Sequence, residues 1–177
     1  NLLNRTIGMI NKYFGGEIEG YSNPQATVGE NINLADLNKE IEKFSEGTIH
    51  EVENLLDTYH LANAITQTWE LVSRTNKYID ETAPWALFKA EKLEELKSVM
   101  YHLVENLRRI AILIAPYMKH TSEKMLAQLN IKPELQTWDS LSEYDKLKDI
   151  KVTEKPEVLF ARLEAETEIE AIKEMMK

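Results

Sequence analysis

The chain has 177 residues, 43% of them apolar and 29% charged, with a formal net charge of -9. That is enough for one domain with a real core, in the composition range of soluble globular proteins. The absence of cysteine excludes disulfides and thiolate zinc sites and fits a reducing, cytoplasmic compartment, while the acidic balance argues against a protein that coats DNA or RNA by charge alone.

The longest apolar run, IAILIAPYM at 110–118, is too short for a membrane helix and is interrupted by Pro116. The charge is uneven. Residues 17–60 hold ten acids and two bases, whereas residues 1–16 are net positive through Arg5 and Lys12. The chain opens on Asn1 with helical patterning at once and no secretory leader, so it reads as a piece of a longer protein.

Leu3, Ile7, Ile10 and Phe14 recur at helical spacing, which predicts a first helix over 2–14, stopped by Gly15 and Gly16. YSNPQATVG (21–29) reads as a loop around Asn23-Pro24. A second helix is expected over 34–45, with Leu34, Leu37, Ile41 and Phe44 inward and Gly47 as its end. Thr48 and Glu51 then form a T-x-x-E capping box, which predicts a third helix from there to Tyr78 or Ile79. Its apolar stripe includes Leu55, Leu56, Tyr59, Ala62, Ile65, Trp69 and Val72.

A fourth helix should start near Pro84 and run to Pro116 on the stripe Leu93, Leu96, Met100, Leu103, Val104, Leu107, Ile110, Ala111, Ile114. A fifth fits Thr121–Leu129. Residues 130–160 read as an irregular segment wrapped on the bundle and anchored by aromatics such as Trp138, and 164–177 as an acidic tail helix or the start of a linker. No β alternation or internal repeat is evident. The expected fold is therefore all-α: an antiparallel bundle of about five helices over 1–163, with an irregular C-terminal wrap and a short tail helix.

Phosphate-binding glycine loops are absent, and so is the helical zinc motif, since His50-Glu51 lacks a second histidine at the needed spacing. The four histidines share no cluster spacing. No catalytic residue, metal site or cofactor is expected within this chain.

Two constellations remain. Asn1, Arg5, Gly8 and Lys12 line one ridge of the first helix, opposite its apolar face. Asparagine and arginine can read base edges and lysine can neutralise phosphate, but a plain solvated ridge has the same spacing. The stretch DETAPWALFK (80–89) puts Trp85 at a helix start behind Pro84. Carried back from Leu93 at 100° per residue, the apolar stripe of the fourth helix favours a buried Trp85. A tryptophan presented by a fixed proline equally suits stacking on an unpaired base, with Arg74, Asn76 and Lys77 adding donors nearby.

Four blocks taken together, NLLNRTIGMINKYF (1–14), NKYIDETAPWALFK (76–89), LRRIAILIAPYMKHTSEKMLAQL (107–129) and KPEVLFARLE (155–164), resemble the anticodon-binding helical bundle of bacterial methionyl-tRNA synthetases, class I aminoacyl-tRNA synthetases, over nearly the whole chain. The resemblance implies a module that reads the CAU anticodon of tRNA(Met). It implies that Trp85 stacks on the anticodon, that Pro84 shapes the bend, that Asn1 and Arg5 take part in reading, and that Asp80 lies near the recognised bases. The catalytic domain of such an enzyme would lie outside this chain, which carries no HIGH-like or KMSKS-like sequence. The implied partners are the anticodon loop and that catalytic domain, with no membrane and no DNA.

Two positions depart from the pattern, Lys119 and Ala161, where the family is expected to have prolines. Alternatives at this point are the bundle of another class I synthetase, a helical protein-interaction scaffold with Trp85 in its core, and a piece that mainly docks on its own catalytic domain.

Overall fold

A computed structural model describes all residues except Tyr21, Glu30, Asn31, Glu143, Asp145, 161–163 and Lys177. Among the described residues the helices are α1 (Leu2–Phe14), α2 (Leu34–Asp57), α3 (Leu61–Thr82), α4 (Pro84–Lys89), α5 (Leu93–Ile114), α6 (Lys119–Gln128) and α7 (Ala165–Met175). Four short strands, β1 (Glu17–Glu19), β2 (Thr27–Val28), β3 (Ile32–Asn33) and β4 (Asp149–Lys151), pair antiparallel as β1 with β4 and β2 with β3. No β alternation announced them. Each is two or three residues long, too short for alternation to register, and β1–β4 joins segments far apart in the chain.

The bundle is built around α5. Every residue from Ser98 to Ile114 is buried, and α1, α2, α3, α4 and α6 all contact this helix. An apolar stripe on one side therefore understates it. The rest of its circumference is polar and still inside: His102, Glu105, Asn106, Arg108 and Arg109 are fully buried.

Burial of these groups requires partners, and most of their polar atoms have them, Arg109 Nη2 and Asn106 Oδ1 being the exceptions. Glu105 takes Arg108 Nε at 3.0 Å and Arg109 Nε at 3.2 Å. Arg109 reaches Ser45 of α2 at 3.2 Å, and its guanidinium lies 4.4 Å from the centre of the Tyr144 ring. Arg108 donates to the Leu135 carbonyl at 2.8 Å and to Ser140 at 2.9 Å, and Asn106 donates to the Tyr144 hydroxyl at 3.0 Å. Burial pushes the Tyr144 phenol well above its ordinary value of 10.0; the negative charge of Glu105 adds to this and Arg109 opposes it. The irregular segment after α6 is thus held by the arginines of the central helix as well as by Trp138, whose indole N–H donates to Glu53 at 2.8 Å.

Helix boundaries differ from expectation at two places. Gly47 does not end α2, nor does Thr48 start α3. Both lie inside α2, with Thr48 buried and Gly47 on the solvent side. The break comes at Thr58–His60, where Tyr59 takes a left-handed φ of 60° and the His60 N–H bonds the Leu55 carbonyl at 2.7 Å. The expected long fourth helix is likewise two, α4 and α5. Glu91 has φ 57°, and the Lys92 N–H bonds the Leu87 carbonyl at 3.0 Å. Both are Schellman endings with a non-glycine residue in the left-handed position.

The inward face of α3 is also turned from the expected one. It carries Ala64, Thr68, Leu71, Thr75, Tyr78 and Thr82, while Tyr59 and Trp69 are exposed. The three threonines can be buried because each hydroxyl donates to the carbonyl four residues back. Phe44 on α2 is exposed too, and Ser45 takes the inner position facing Arg109.

Lys119 opens α6, so a proline is not required there. Ala161 lies outside the described residues. No described helix is long and apolar enough to cross a membrane.

Candidate functional site

α3 and α4 are joined by one residue. Ala83, with φ 43° and ψ 62°, ends the first helix and begins the second, and Pro84 follows as the first residue of α4. Proline suits that position because the N–H it lacks has no partner in a first turn. The six residues of α4 divide cleanly: Pro84 and Leu87 point into the bundle, while Trp85 and Phe88 point out. Trp85 is 49% exposed, so the backward extrapolation that favoured burial fails. It assumed one continuous helix, and the break at Ala90–Lys92 resets the phase between Leu93 and Trp85.

α1 lies alongside. Leu2, Leu3, Ile7 and Ile10 enter the core, and the opposite ridge of Asn1, Arg5, Gly8 and Lys12 is exposed throughout, as the spacing predicted. Arg5 connects this ridge to α4 and to the end of α3. Its guanidinium carbon is 5.8 Å from the centre of the Trp85 ring, and its Nη2 is 3.4 Å from Asp80 Oδ1. The two side chains of the ion pair are 39% and 70% exposed. A pair that open to water contributes little, roughly 0–1 kcal/mol, so a ligand with a better acceptor can take the guanidinium from Asp80 at small cost.

Arg5, Asp80 and Trp85 are therefore together at one exposed corner, with buried Pro84 behind the indole. Asn1 stands one turn earlier on α1, where its carbonyl accepts the Arg5 amide at 2.9 Å; its side chain makes no capping bond. Of the further donors suggested by sequence, Arg74 is not available. It is buried and ion-paired at 3.0 Å to both Glu40 and Glu81. Lys77 pairs with Glu81 at 3.3 Å, and Asn76 is turned back onto the Val72 carbonyl at 2.9 Å.

Sequence reasoning missed Phe88 and Tyr13, whose rings stack beside the corner. An aromatic three residues after Trp85 was the available signal. Beside Asn1 on the other side, a mainly apolar cleft of about 460 Å³ opens between α1, α3, α5 and the 158–160 segment, lined in part by Trp69, Ile114, Met125 and Phe160. No group of three or more His, Cys, Asp or Glu positioned to hold a metal occurs among the described residues.

At this corner a flat aromatic face, a weakly held guanidinium and a carboxylate are exposed together, with the Asn1 amide one helical turn away. That set can stack on one planar unpaired base and hydrogen-bond to its edge. It contains no nucleophile–base pair.

Comparison with known proteins agrees with the resemblance. A family model described as the anticodon binding domain of methionyl tRNA ligase matches residues 28–175. The methionine–tRNA ligase of Bacillus subtilis (strain 168) is 46% identical over 179 residues, covering 100% of this chain and 26% of that protein. The methionine–tRNA ligase of Listeria innocua is 43% identical over 180 residues with the same coverage. Among solved structures, the free form of Mycobacterium tuberculosis methionyl-tRNA synthetase matches with a TM-score of 0.78 at 22% identity, over 93% of this chain and 31% of that one, a likeness that concerns the fold alone. The chain spans about a quarter of the length of these curated relatives. Asp80, Pro84 and Trp85 fall within the family match. Asn1 and Arg5 precede it and are covered by the full-length relatives.

Proposed function

The chain belongs to the family of anticodon-binding domains of methionyl-tRNA ligases, and from that premise we propose that the Arg5–Trp85 corner reads the CAU anticodon of tRNA(Met). Trp85 stacks on an unpaired base of the loop. Arg5 leaves its exposed pairing with Asp80 to donate two parallel bonds to that base or its neighbour, and Asn1 supplies an amide one turn away. Asp80 is left to accept from an exocyclic amino group, as a carboxylate can from cytosine. Stacking contributes about 1–3 kcal/mol per base, and a bidentate contact a similar degree of discrimination.

The single observation that carries this reading is the exposed indole with the Arg5 guanidinium beside it. The indole is half out on the turn that Pro84 opens, with the guanidinium over its ring. Its exposure also speaks against the scaffold reading that placed Trp85 in the core.

The attachment of methionine belongs, in this proposal, to a catalytic domain elsewhere in a longer polypeptide, which the cleft beside Asn1 and the exposed Val158 and Phe160 would help to seat. Anticodon contacts would then contribute to catalysis by orienting the distant acceptor end.

The test is binding of a CAU anticodon stem-loop to the parent chain, Arg5→Ala and Trp85→Ala at fixed salt, with a second stem-loop whose first anticodon base is changed. The parent should prefer CAU, and each variant should lose roughly tenfold or more in affinity. Equal binding by parent and both variants would sink the proposal. Preference for a different anticodon would favour another class I synthetase.

A further inference from the structure

Trp85 is not alone on its face of α4. Phe88, one turn on, is 40% exposed, and its ring stacks on Tyr13 of α1 with centroids 4.4 Å apart and planes at 23°. The ammonium of Lys12 stands 5.7 Å from the centre of the Tyr13 ring. Two cations of the α1 ridge thus stand beside aromatic rings at the α1–α4 contact: Arg5 over Trp85 of α4, and Lys12 over Tyr13 of α1, which in turn stacks on Phe88 of α4. Between the two cations lies Gly8, exposed, with no atom within 4 Å of where a side chain would begin. The ground between the two units is open.

A packing role alone does not account for Phe88. α4 is already fastened to the bundle by Pro84 and Leu87, which are buried. Tyr13 occupies one face of the Phe88 ring, so the exposure that remains belongs to the other face and the edge. Trp85 and Phe88 are three residues apart, about 4.5 Å along the helix axis, comparable to the step of about 3.4 Å between stacked bases. Successive bases of a single strand commonly stack on successive aromatics along a groove whose cations follow the backbone.

Building on the reading of the Arg5–Trp85 corner, we propose that the outer face of Phe88, backed by Tyr13, which in turn carries the Lys12 ammonium beside it, is a second stacking subsite. It takes the base of the loop nucleotide next to the one on Trp85, with the Lys12 ammonium on a neighbouring phosphate. The subsite is built of aromatic faces and an ammonium, so it adds affinity with little preference for base identity. Discrimination stays with Arg5, Asn1 and Trp85.

The experiment uses anticodon stem-loops carrying one abasic nucleotide at each loop position in turn, measured against the parent chain, Phe88→Ala, Phe88→Trp, Lys12→Gln and Trp85→Ala. Thermal melts of each variant accompany the binding. Phe88→Ala should bind the intact loop about tenfold more weakly. It should show no further loss at one abasic position, and that position should differ from the one coupled to Trp85→Ala. Phe88→Trp should keep or raise affinity. Lys12→Gln should lower the slope of log affinity against log salt by about 0.7, one phosphate on a single strand.

If Phe88→Ala binds every loop as the parent does, or couples to the same position as Trp85→Ala, the second subsite is refuted; in the latter case Phe88 only holds Trp85 in place. In either outcome a loss on Trp85→Ala leaves the first reading standing. Should Phe88→Ala lower the melting temperature and bind weakly while Phe88→Trp folds but fails to bind, the subsite is also refuted. Failure of the parent itself to bind the stem-loop overturns both.

Discussion

Arg109 and Arg5 each lie beside an aromatic ring, Arg109 with its guanidinium 4.4 Å from the centre of Tyr144 and Arg5 5.8 Å from that of Trp85. Around Arg109 everything is enclosed: Glu105 on the same helix, Ser45 from α2 and the Tyr144 ring from the wrap. Around Arg5 there is one carboxylate, itself largely in water. The same chemistry is a fastening in the first place and an open contact in the second. What separates them is dielectric environment. A charge taken out of water has to find its counter-charge and most of its hydrogen bonds within its own protein, whereas one left in water keeps its capacity for an outside partner.

This contrast breaks most readily at Glu105. Glu105→Gln leaves Arg108 and Arg109 buried without their counter-charge, and urea or thermal melts should show a loss of about 3–5 kcal/mol. Arg5→Ala should cost less than about 1 kcal/mol in the same melts. If the two variants melt alike, the distinction between fastening and open contact fails.

Trp85→Ala sharpens it from the aromatic side. A tryptophan in the core costs about 3–5 kcal/mol on truncation. Here the expected stability loss is about 1 kcal/mol, while stem-loop affinity falls by about 1–3 kcal/mol. A large drop in the melt with unchanged RNA binding would reverse the assignment.

Tyr144 supplies a pH-dependent version. Folding raises its phenol above 10.0, so at high pH the unfolded chain gives up this proton first. Stability is fully present below about pH 10 and declines as pH rises from there toward the folded value. Tyr144→Phe, which loses the bond from Asn106, should be somewhat less stable at neutral pH and show a shallower alkaline decline than the parent in melts from pH 8 to 11. The smallest effect is expected at Gly47. It lies mid-helix on the solvent side with free space for a methyl group, so Gly47→Ala should stabilise by about 0.5–1 kcal/mol without touching either arginine.

These positions also show what could be read in advance. The inward face of α1 and its polar ridge follow directly from spacing, because α1 is amphipathic and ends on glycine, whose left-handed conformation costs little. Gly47 and the Thr48–Glu51 box misled for the complementary reason. Both fit a helix interior when Ile41, Ile49 and Val52 bury enough apolar surface to offset about 1 kcal/mol of propensity. The true breaks use Tyr59 and Glu91 in left-handed conformation, residues that announce no turn.

The family resemblance implied that Arg5 and Trp85 act together, but their geometry was not legible in the sequence. The exposure of Trp85 depends on the break at Glu91, and spacing alone pointed to the core. Nor was the ionic interior of α5 visible. LRRIAILI reads as an apolar stripe interrupted by charge, and only the fold brings Ser45, Ser140 and Tyr144 to those charges.

The single-residue joint at Ala83 has a consequence for how an encounter would proceed. A left-handed alanine followed by a proline of fixed φ leaves α4 little freedom to swing relative to α3. The backbone that carries the indole is therefore held at nearly one angle before anything arrives. On the proposed function, an RNA loop would meet a helix already held in place, and most of the entropy of ordering would fall on the nucleotides, the more pliant side of the pair.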